Sequence, residues 1–414
     1  MPRAKGKHFF GFGLGPLQAG LFLLEAWRSK KFTRLTVCEI DPRLVEALKH
    51  GRLTVNVAGE NGLAPVVIDG VEVLHPLRDA ATAVQRIRES DELATSLPHV
   101  LSYQNGEPSP ADLLARGLDG SRPRAIYTAE NHPHAAEILK ADVLKRRLLP
   151  QDTVFLGTVI GRMAATVRDP AAIAERRLAP IAPGIPAAVV AESFDRILVA
   201  KNPLRNFESG FPAFTPKADL APYAEVHLYG HIAAHAVLAW EAHRRGLATM
   251  DEVRERPEML FLGERLFDEC ARTLLTRHKG VWDPLFTEAG FRNEGRAVLR
   301  RITSPYLRDP VLRIIRDPAR KLMPRDRLVG PVSLAMEGGM KSALFPVGAG
   351  MALEELVRHP DQAPPAARKS LAGRRMTRDR FEAILDILWD LEGTASPETA
   401  VRELLWEGFR SAMG

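Results

Sequence analysis

Residues 8–20 of the chain read His8-Phe9-Phe10-Gly11-Phe12-Gly13-Leu14-Gly15-Pro16-Leu17-Gln18-Ala19-Gly20, and an apolar run follows to Trp27. This order predicts a buried strand, a glycine turn and a helix, as a dinucleotide-binding fingerprint requires. Gly11 permits the tight turn, and Gly13 lets the backbone approach a pyrophosphate that faces the free amides of the helix. We expect the cofactor to be held by the four residues of the turn, Gly11, Gly13, Leu14 and Gly15.

The fingerprint's third glycine is replaced by Pro16. Proline suits the first turn of a helix, so the replacement need not break the turn. It does alter the close packing of strand against helix, and Gly20 can restore that closeness one turn later.

A second predicted strand, residues 35–39, ends in Glu39, which lies 28 residues after Gly11. An acid at this place can accept hydrogen bonds from the adenosine ribose. Glu39 is therefore the candidate ribose ligand, with Asp41 second. Because a carboxylate repels a ribose phosphate, Glu39 favours NAD over NADP.

Strands and helices alternate up to about residue 200, which is typical of a doubly wound parallel sheet. We predict an α/β fold with an N-terminal Rossmann domain, residues 1–205, and a mostly helical domain, residues 206–414. Ligands bind beyond the carboxyl ends of such strands. There we expect the two loop regions that contain Thr95 to Pro98 and Glu130 to His132. Strands are expected at 53–57, 65–68, 71–74, 92–98, 125–129, 153–157 and 189–200, and helices at 79–89, 111–118 and 135–147.

The composition narrows the class of protein. The 414 residues include only two cysteines, which suits a reducing cytoplasm. The net charge of +6 is modest, and no aromatic residues interleave with the basic clusters, so the chain is not expected to bind nucleic acid. No run of about 20 apolar residues exists, and we expect no membrane span. A small anionic molecule is a more natural partner.

A second unusual stretch carries His227, His231 and His235 at intervals of four. On an α-helix this spacing places the three imidazoles along one face. Single histidines are often ordinary core or surface groups. Three in register are as compatible with a functional site as with a structural role.

Several motifs together resemble the polyol-specific long-chain dehydrogenases. Residues 304–322 read SPYLRDPVLRIIRDPARKL and residues 326–331 read DRLVGP. They are similar to the family's N-P-Y-L-x-D, R-x-P-x-R-K-L and D-R-L-x-x-P runs. Residues 129–131 look like its C-E-N segment and 93–98 like its T-A-V-G-P loop without the glycine, while Gly161 stands where an acid is usual. The resemblance implies an NAD-dependent oxidoreductase that interconverts a polyol-like alcohol and its ketone, with a sugar phosphate or another anionic sugar derivative as substrate.

The histidine stretch coincides with the family's catalytic element, K-L-x-x-x-N-x-x-H-A. His235 keeps the family histidine, His227 replaces the lysine that acts as acid–base, and Ile232 replaces an asparagine. Histidine, with an ordinary pKa of about 6.5, can serve as a proton acceptor near neutral pH. The resemblance thus implies catalytic roles for His227, His235 and Asn131. Asn131, Thr95 and Pro98 are also expected at the cofactor, and the substrate candidates are Arg313, His231, Arg316 and Lys321.

Two other interpretations remain. The missing lysine and asparagine are compatible with a protein that binds NAD without turnover. Alternatively, two neighbouring histidines with Glu225 or Glu130 could bind a metal, although the three histidines span about 12 Å and cannot all reach one ion. The family resemblance does not support a metal site. Whether the chain acts as a monomer or a homodimer is left open by the sequence.

Overall fold

The computed structural model describes residues 6–59, 62–193, 196–371, 376–390 and 397–413. The chain forms two compact units, Met1–Tyr223 and Ala224–Gly414. The predicted boundary after residue 205 falls ahead of the strand Phe214–Lys217, which belongs to the main sheet of the first unit.

The first unit is built on an eight-stranded sheet with the order β12-β11-β8-β7-β6-β1-β2-β5. Strand β1 lies between β6 and β2, and all three are parallel. Strand β11 runs antiparallel to β8 and parallel to β12, so β11 and β12 run opposite to the other six strands of the sheet. The strands are β1 (Lys7–Phe12), β2 (Phe32–Cys38), β3 (Arg52–Gly59), β4 (Gly62–Asp69), β5 (Val71–Leu74), β6 (Glu92–Thr95), β7 (Arg124–Thr128), β8 (Thr153–Ile160), β9 (Ala164–Val167), β10 (Ala188–Glu192), β11 (Ile197–Ala200) and β12 (Phe214–Lys217).

A second sheet departs from the predicted alternation. It has four strands in the order β4-β3-β10-β9, and the continuous strand predicted for 189–200 is divided between the two sheets. The apolar residues of β3 and β10 pack with the first helix of the chain into one buried core. The second sheet therefore covers that helix on the side away from β1.

Helices occupy both faces of the main sheet. The first begins as a π-helical segment, Gln18–Leu23, and continues as α1 (Leu24–Ser29). A separate apolar core forms on the opposite face under α3 and α4. The remaining helices of this unit are α2 (Pro42–Ala47), α3 (Ala80–Glu89), α4 (Pro110–Gly117), α5 (Ala135–Leu144) and α6 (Pro170–Glu175), with a 3-10 turn at Val100–Tyr103.

The second unit is helical, and the predicted fold class is confirmed. Its α-helices are α8 (Ala233–Arg244), α9 (Pro257–Arg277), α10 (Glu288–Ile302), α11 (Val311–Ile315), α12 (Pro318–Lys321), α13 (Gly330–Glu337), α14 (Phe345–Arg358), α15 (Pro365–Leu371), α16 (Arg378–Asp390) and α17 (Thr399–Met413). A short helix, α7 (Ala221–Glu225), and the π-helical segment Val226–Ile232 precede α8. The 3-10 turns are Met250–Glu255, Pro284–Phe286 and Pro360–Gln362. The sequence also predicts a helix over residues 378–392, whose last two residues lie outside the described part of the chain. Within the described part of the chain, none of the helices has the length and apolar character of a transmembrane span.

Candidate active site

The glycine turn joins β1 to the first helix. Gly13 has φ +78°, a left-handed conformation that glycine adopts without strain, so the tight turn requires Gly13. Our assignment of that requirement to Gly11 was wrong, because Gly11 lies inside β1. A Cβ atom on Gly11 would lie 2.0 Å from Nε2 of Gln18, whose buried amide has no hydrogen-bond partner among the described residues. Gly11 therefore makes room for the Gln18 side chain.

Two further glycines differ in what surrounds them. A Cβ atom on Gly15 would meet no atom within 4 Å, so space is open in front of the first helical turn. A Cβ atom on Gly20 would lie 2.5 Å from Cβ of Ala191 in β10. Gly20 thus provides a close approach, as predicted, but its neighbour is the second sheet.

Glu39 is bonded to the glycine turn. Its Oε2 accepts a 2.7 Å hydrogen bond from the Leu14 N–H, and its Oε1 accepts one of 2.9 Å from the Asp41 N–H. Asp41 caps α2 by accepting from the Arg43 N–H, which lowers the pKa of the Asp41 carboxyl. Since each carboxylate oxygen has two lone pairs, Glu39 keeps acceptor sites for a ribose hydroxyl.

The loops after β6 and β7 are held together by Glu130. This buried carboxylate accepts hydrogen bonds from Thr95 Oγ1 and the Leu97 N–H, both 2.9 Å, and from the Tyr103 hydroxyl. Burial raises the pKa of Glu130. The Thr95 side chain is fully buried and faces Glu130. Pro98 is exposed.

Asn131 follows Glu130 at the carboxyl end of β7. Its side chain is exposed and has no hydrogen-bond partner among the described residues. From the sequence, Glu130 was considered only as a possible metal ligand. Its place in the family's C-E-N motif, directly before Asn131, could have indicated that it holds the loops after β6 and β7 together.

In the second unit, the three histidines lie in contact along one face. The ring centroids of His227 and His231 are 5.0 Å apart with the rings perpendicular, and those of His231 and His235 are 6.5 Å apart. The first two histidines lie in the π-helical segment, where an α-helix was predicted. Such segments interrupt α-helices mostly as single turns and often at functional sites.

Burial and positive charge keep these imidazoles neutral. Burial is the main cause that lowers the pKa of His227 to about 4, and Arg301 and Arg327 lower it further. The pKa of His231 is well below its usual value through burial and the neighbouring His227. Burial also lowers the pKa of His235 to about 4, although Asp309 acts in the opposite direction. Neither Arg301, Arg327 nor Asp309 was predicted as part of this site.

Arg313 is held close to the histidines by Asp309. Its Nε donates a 2.6 Å hydrogen bond to Asp309 Oδ1, and its Nη2 donates to Oδ2. The Arg313 side chain is nevertheless 47% exposed, so a dissolved anion can reach it. The other candidates differ: Arg316 is exposed, whereas Lys321 is buried, 5.9 Å from the Trp240 ring centroid.

The Lys321 ammonium donates to the carbonyl of Arg316 and, at 3.4 Å, to that of Asp317. Burial, together with Arg327, lowers the pKa of Lys321 to about 7. As placed, this ammonium satisfies the carbonyls at the end of α11, so it is less available to a substrate than Arg313.

The alternative metal site finds little geometric support. Glu225 accepts a 2.7 Å hydrogen bond from His278 Nε2 and pairs with Arg277, while Glu130 is bonded to Thr95, Leu97 and Tyr103. Across the described ranges, no three histidine, cysteine or acidic side chains converge as metal ligands would.

Comparison with known proteins relates both units to one family. Mannitol-1-phosphate 5-dehydrogenase of Aspergillus niger is 26% identical over 343 residues, which cover 81% of this chain and 82% of that protein. The protein of the same name from Paenarthrobacter aurescens strain TC1 is 26% identical over 345 residues, 82% of this chain and 83% of that protein. No family-wide sequence model matches the chain.

Two solved structures have the same fold. Pseudomonas fluorescens mannitol 2-dehydrogenase, solved as a ternary complex with NAD and D-mannitol, has a TM-score of 0.71 at 12% identity and covers 99% of this chain and 92% of its own. Substrate-free D-sorbitol dehydrogenase has a TM-score of 0.70 at 13% identity, with 98% and 94% covered. Over most of its length the chain is thus similar to polyol-specific long-chain dehydrogenases.

Compared with the family motifs described above, this chain differs in the element that precedes α8. The motif comparison aligns His227 with the family lysine and half-buried Ile232 with an asparagine. The two positions after Ile232, Ala233 and Ala234, do not supply a polar group in place of the missing amide.

Proposed function

We propose that this chain is an NAD-dependent oxidoreductase that interconverts a polyol-like secondary alcohol and its ketone, with an anionic sugar derivative such as a sugar phosphate as substrate. In this proposal His227 is the acid–base group, in place of the family lysine. His235 and Asn131 position the reacting oxygen, and Arg313 is the first candidate for the anion.

One observation carries the proposal. The three histidines are in contact, and burial lowers the pKa of each. The guanidinium groups of Arg301, Arg313 and Arg327 lower these pKa values further, whereas the Asp309 carboxylate raises that of His235. A neutral imidazole can accept a proton, and a cluster of guanidinium groups attracts an anion. The arrangement combines a proton acceptor with affinity for a charged substrate.

The first unit has the residues to hold a dinucleotide. The open space at Gly15, the left-handed Gly13 and the N-terminus of the first helix fit a pyrophosphate. Glu39 would accept from the ribose hydroxyls and favours NAD over NADP. Mannitol 2-dehydrogenase, which has the same fold, was solved with NAD bound, and this supports the same cofactor.

The chemistry follows from the neutral state of His227. During oxidation the hydroxyl proton of the alcohol passes to the His227 imidazole, and a hydride leaves the carbon atom that carries this hydroxyl. NAD⁺, when bound, supplies the hydride acceptor. Because Arg301 and Arg327 lower the pKa of His227, an anionic substrate that offsets their charge makes the imidazole a stronger base. Reaction is therefore coupled to the charge of the substrate.

The competing proposal is an NAD-binding protein without turnover, which the loss of the asparagine at Ile232 favours. Purified protein should be assayed for NADH oxidation with fructose 6-phosphate, with an NADH titration in the same preparation. His227→Ala should lower kcat by about 10² to 10⁴ and leave NADH affinity within twofold. His243→Ala serves as the control, since this half-buried histidine lies on the same helix and faces Glu355.

Each outcome selects one interpretation. Turnover that is lost in His227→Ala supports the dehydrogenase. Tight NADH binding without turnover on a panel of phosphorylated and free ketoses supports the binding protein. Absence of NADH binding contradicts both.

A further inference from the structure

An unsatisfied polar atom belongs to the last of the three histidines. His235 Nε2 is buried and has no hydrogen-bond partner among the described residues. The nearest carboxylate oxygen, Oδ2 of Asp309, is 4.0 Å away, which is beyond hydrogen-bond distance. A buried nitrogen without a hydrogen-bond partner is destabilising, so a state that provides the partner is favoured.

Asp309 is prevented from reaching His235 by another partner. Its carboxylate is 7% exposed, and both of its oxygens accept from the guanidinium of Arg313, one turn later in the chain. Arg313 itself is 47% exposed. One buried carboxylate thus stands between a buried imidazole and a cation that solvent can reach.

We propose that Asp309 exchanges partners when an anion binds. Without an anion it holds Arg313. When a phosphate or carboxylate group of the substrate binds Arg313, Asp309 is released and accepts a hydrogen bond from His235 Nε2. Asp309 is therefore a positioning residue that acts through His235. This inference rests on the proposed function in one respect, that the physiological anion belongs to the substrate.

The exchange has a defined electrostatic effect. The charged and titratable groups that act on His235 are Asp309, Arg313, Arg327 and, on its own helix, His231. Arg313 and Arg327 favour the neutral imidazole, and Asp309 favours the charged one. An anion on Arg313 weakens the effect of the arginines on His235. The approach of Asp309 favours the charged imidazole more strongly. The carboxylate also selects the tautomer that carries the proton on Nε2.

The test uses full-length protein with ¹⁵N-labelled histidine and inorganic phosphate as the probe, without cofactor or substrate. In the wild-type protein, phosphate should shift the His235 Nε2 resonance and raise the pH midpoint of its titration by about one unit. Asp309→Asn and Arg313→Gln should both abolish the shift. Arg244→Gln removes an exposed arginine of the same helix and should behave as the wild type.

The outcomes separate this inference from the proposed function. A protein without dehydrogenase activity that still shows the phosphate effect supports the exchange and contradicts only the proposed reaction. The exchange is overturned if phosphate leaves His235 unchanged in the wild type, or shifts it equally in Asp309→Asn. In an active enzyme, Asp309→Asn should lower kcat about 10- to 100-fold and change KM less than threefold, whereas Arg313→Gln should mainly raise KM.

Discussion

The Leu14 N–H donates a 2.7 Å hydrogen bond to Glu39 Oε2, so the glycine turn and the acid at the end of β2 are directly connected. The same carboxylate accepts from the Asp41 N–H at the start of α2. Glu39 therefore fixes the shape of the glycine turn in addition to being the proposed ribose ligand. We expect a change at Glu39 to alter both the geometry of the turn and the choice of cofactor.

This connection predicts the effect of Glu39→Gln. An amide cannot accept at both ends, so at least one of the two backbone bonds is lost. Hydrogen bonds to a charged group contribute about 1.5–3 kcal/mol, and NADH affinity should fall about tenfold or more. NADPH affinity should fall less, because the variant also removes the carboxylate charge that repels a ribose phosphate. Fluorescence titration with both nucleotides measures this. Glu46→Gln, an exposed carboxylate paired with Lys49, is the control, and equal effects of the two variants would contradict the prediction.

Gly15 and Gly20 form a matched pair for separating binding from folding. Gly15→Ala adds a methyl group to open space and should leave Tm unchanged while weakening NADH binding at least about tenfold. Gly20→Ala drives a methyl group against Ala191 and should lower stability by about 1–3 kcal/mol. Thermal melting and NADH titration of both variants check this. A cofactor effect confined to Gly20→Ala would argue against a pyrophosphate at Gly15.

The pH dependence of alcohol oxidation should identify the base. Since the pKa of His227 is about 4, its neutral form persists through the neutral range and the acid limb of kcat/KM should lie near pH 4 to 5. In His227→Lys the base starts from an ordinary pKa of about 10.4, and the limb should move to higher pH. pH–rate profiles of the two proteins measure the difference, and coincident profiles would exclude His227 as the base.

The same low pKa predicts a loss of stability in acid. The unfolded chain binds a proton at His227 near pH 6.5, whereas the folded chain does so only near pH 4, so stability is present above pH 6.5 and falls as the pH drops towards 4. The contribution of this histidine reaches about 3 kcal/mol. His227→Gln should reduce the acid-induced decrease in Tm relative to its own value at pH 7.5. An unchanged pH dependence would contradict the assigned burial.

The sequence was most informative where a local pattern determines local structure. The order of strand, glycine turn, strand and acid predicted β1, the turn and β2, because each step depends on neighbouring residues. The second sheet could not be predicted this way, since β3 and β10 are more than 100 residues apart and their pairing depends on tertiary packing. Helix α17 was overlooked, although Val401, Leu404 and Leu405 repeat with helical spacing.

The candidate site shows a similar limit. The histidine spacing and the family motif identified His227, His231 and His235 as neighbours. Neither could predict that the Thr95 hydroxyl faces Glu130 or that Arg313 is bonded to Asp309, because both contacts depend on side-chain directions in the folded chain. The π-helical winding was also unpredictable, since no sequence period distinguishes it from an α-helix over seven residues.

That winding bears on how the site can diverge. Deleting one residue from an α-helix turns everything beyond it by about 100° and disrupts its packing. In the π-helical segment Val226–Ile232, hydrogen bonds join residues five apart, so a turn holds one residue more than an α-helical turn. If that residue is deleted, the segment can become an α-helical turn. Such a deletion would re-aim the His227 position while α8, with its buried Trp240, kept its register. Insertions and deletions at this point can therefore re-orient the proposed acid–base residue in a way that substitutions cannot.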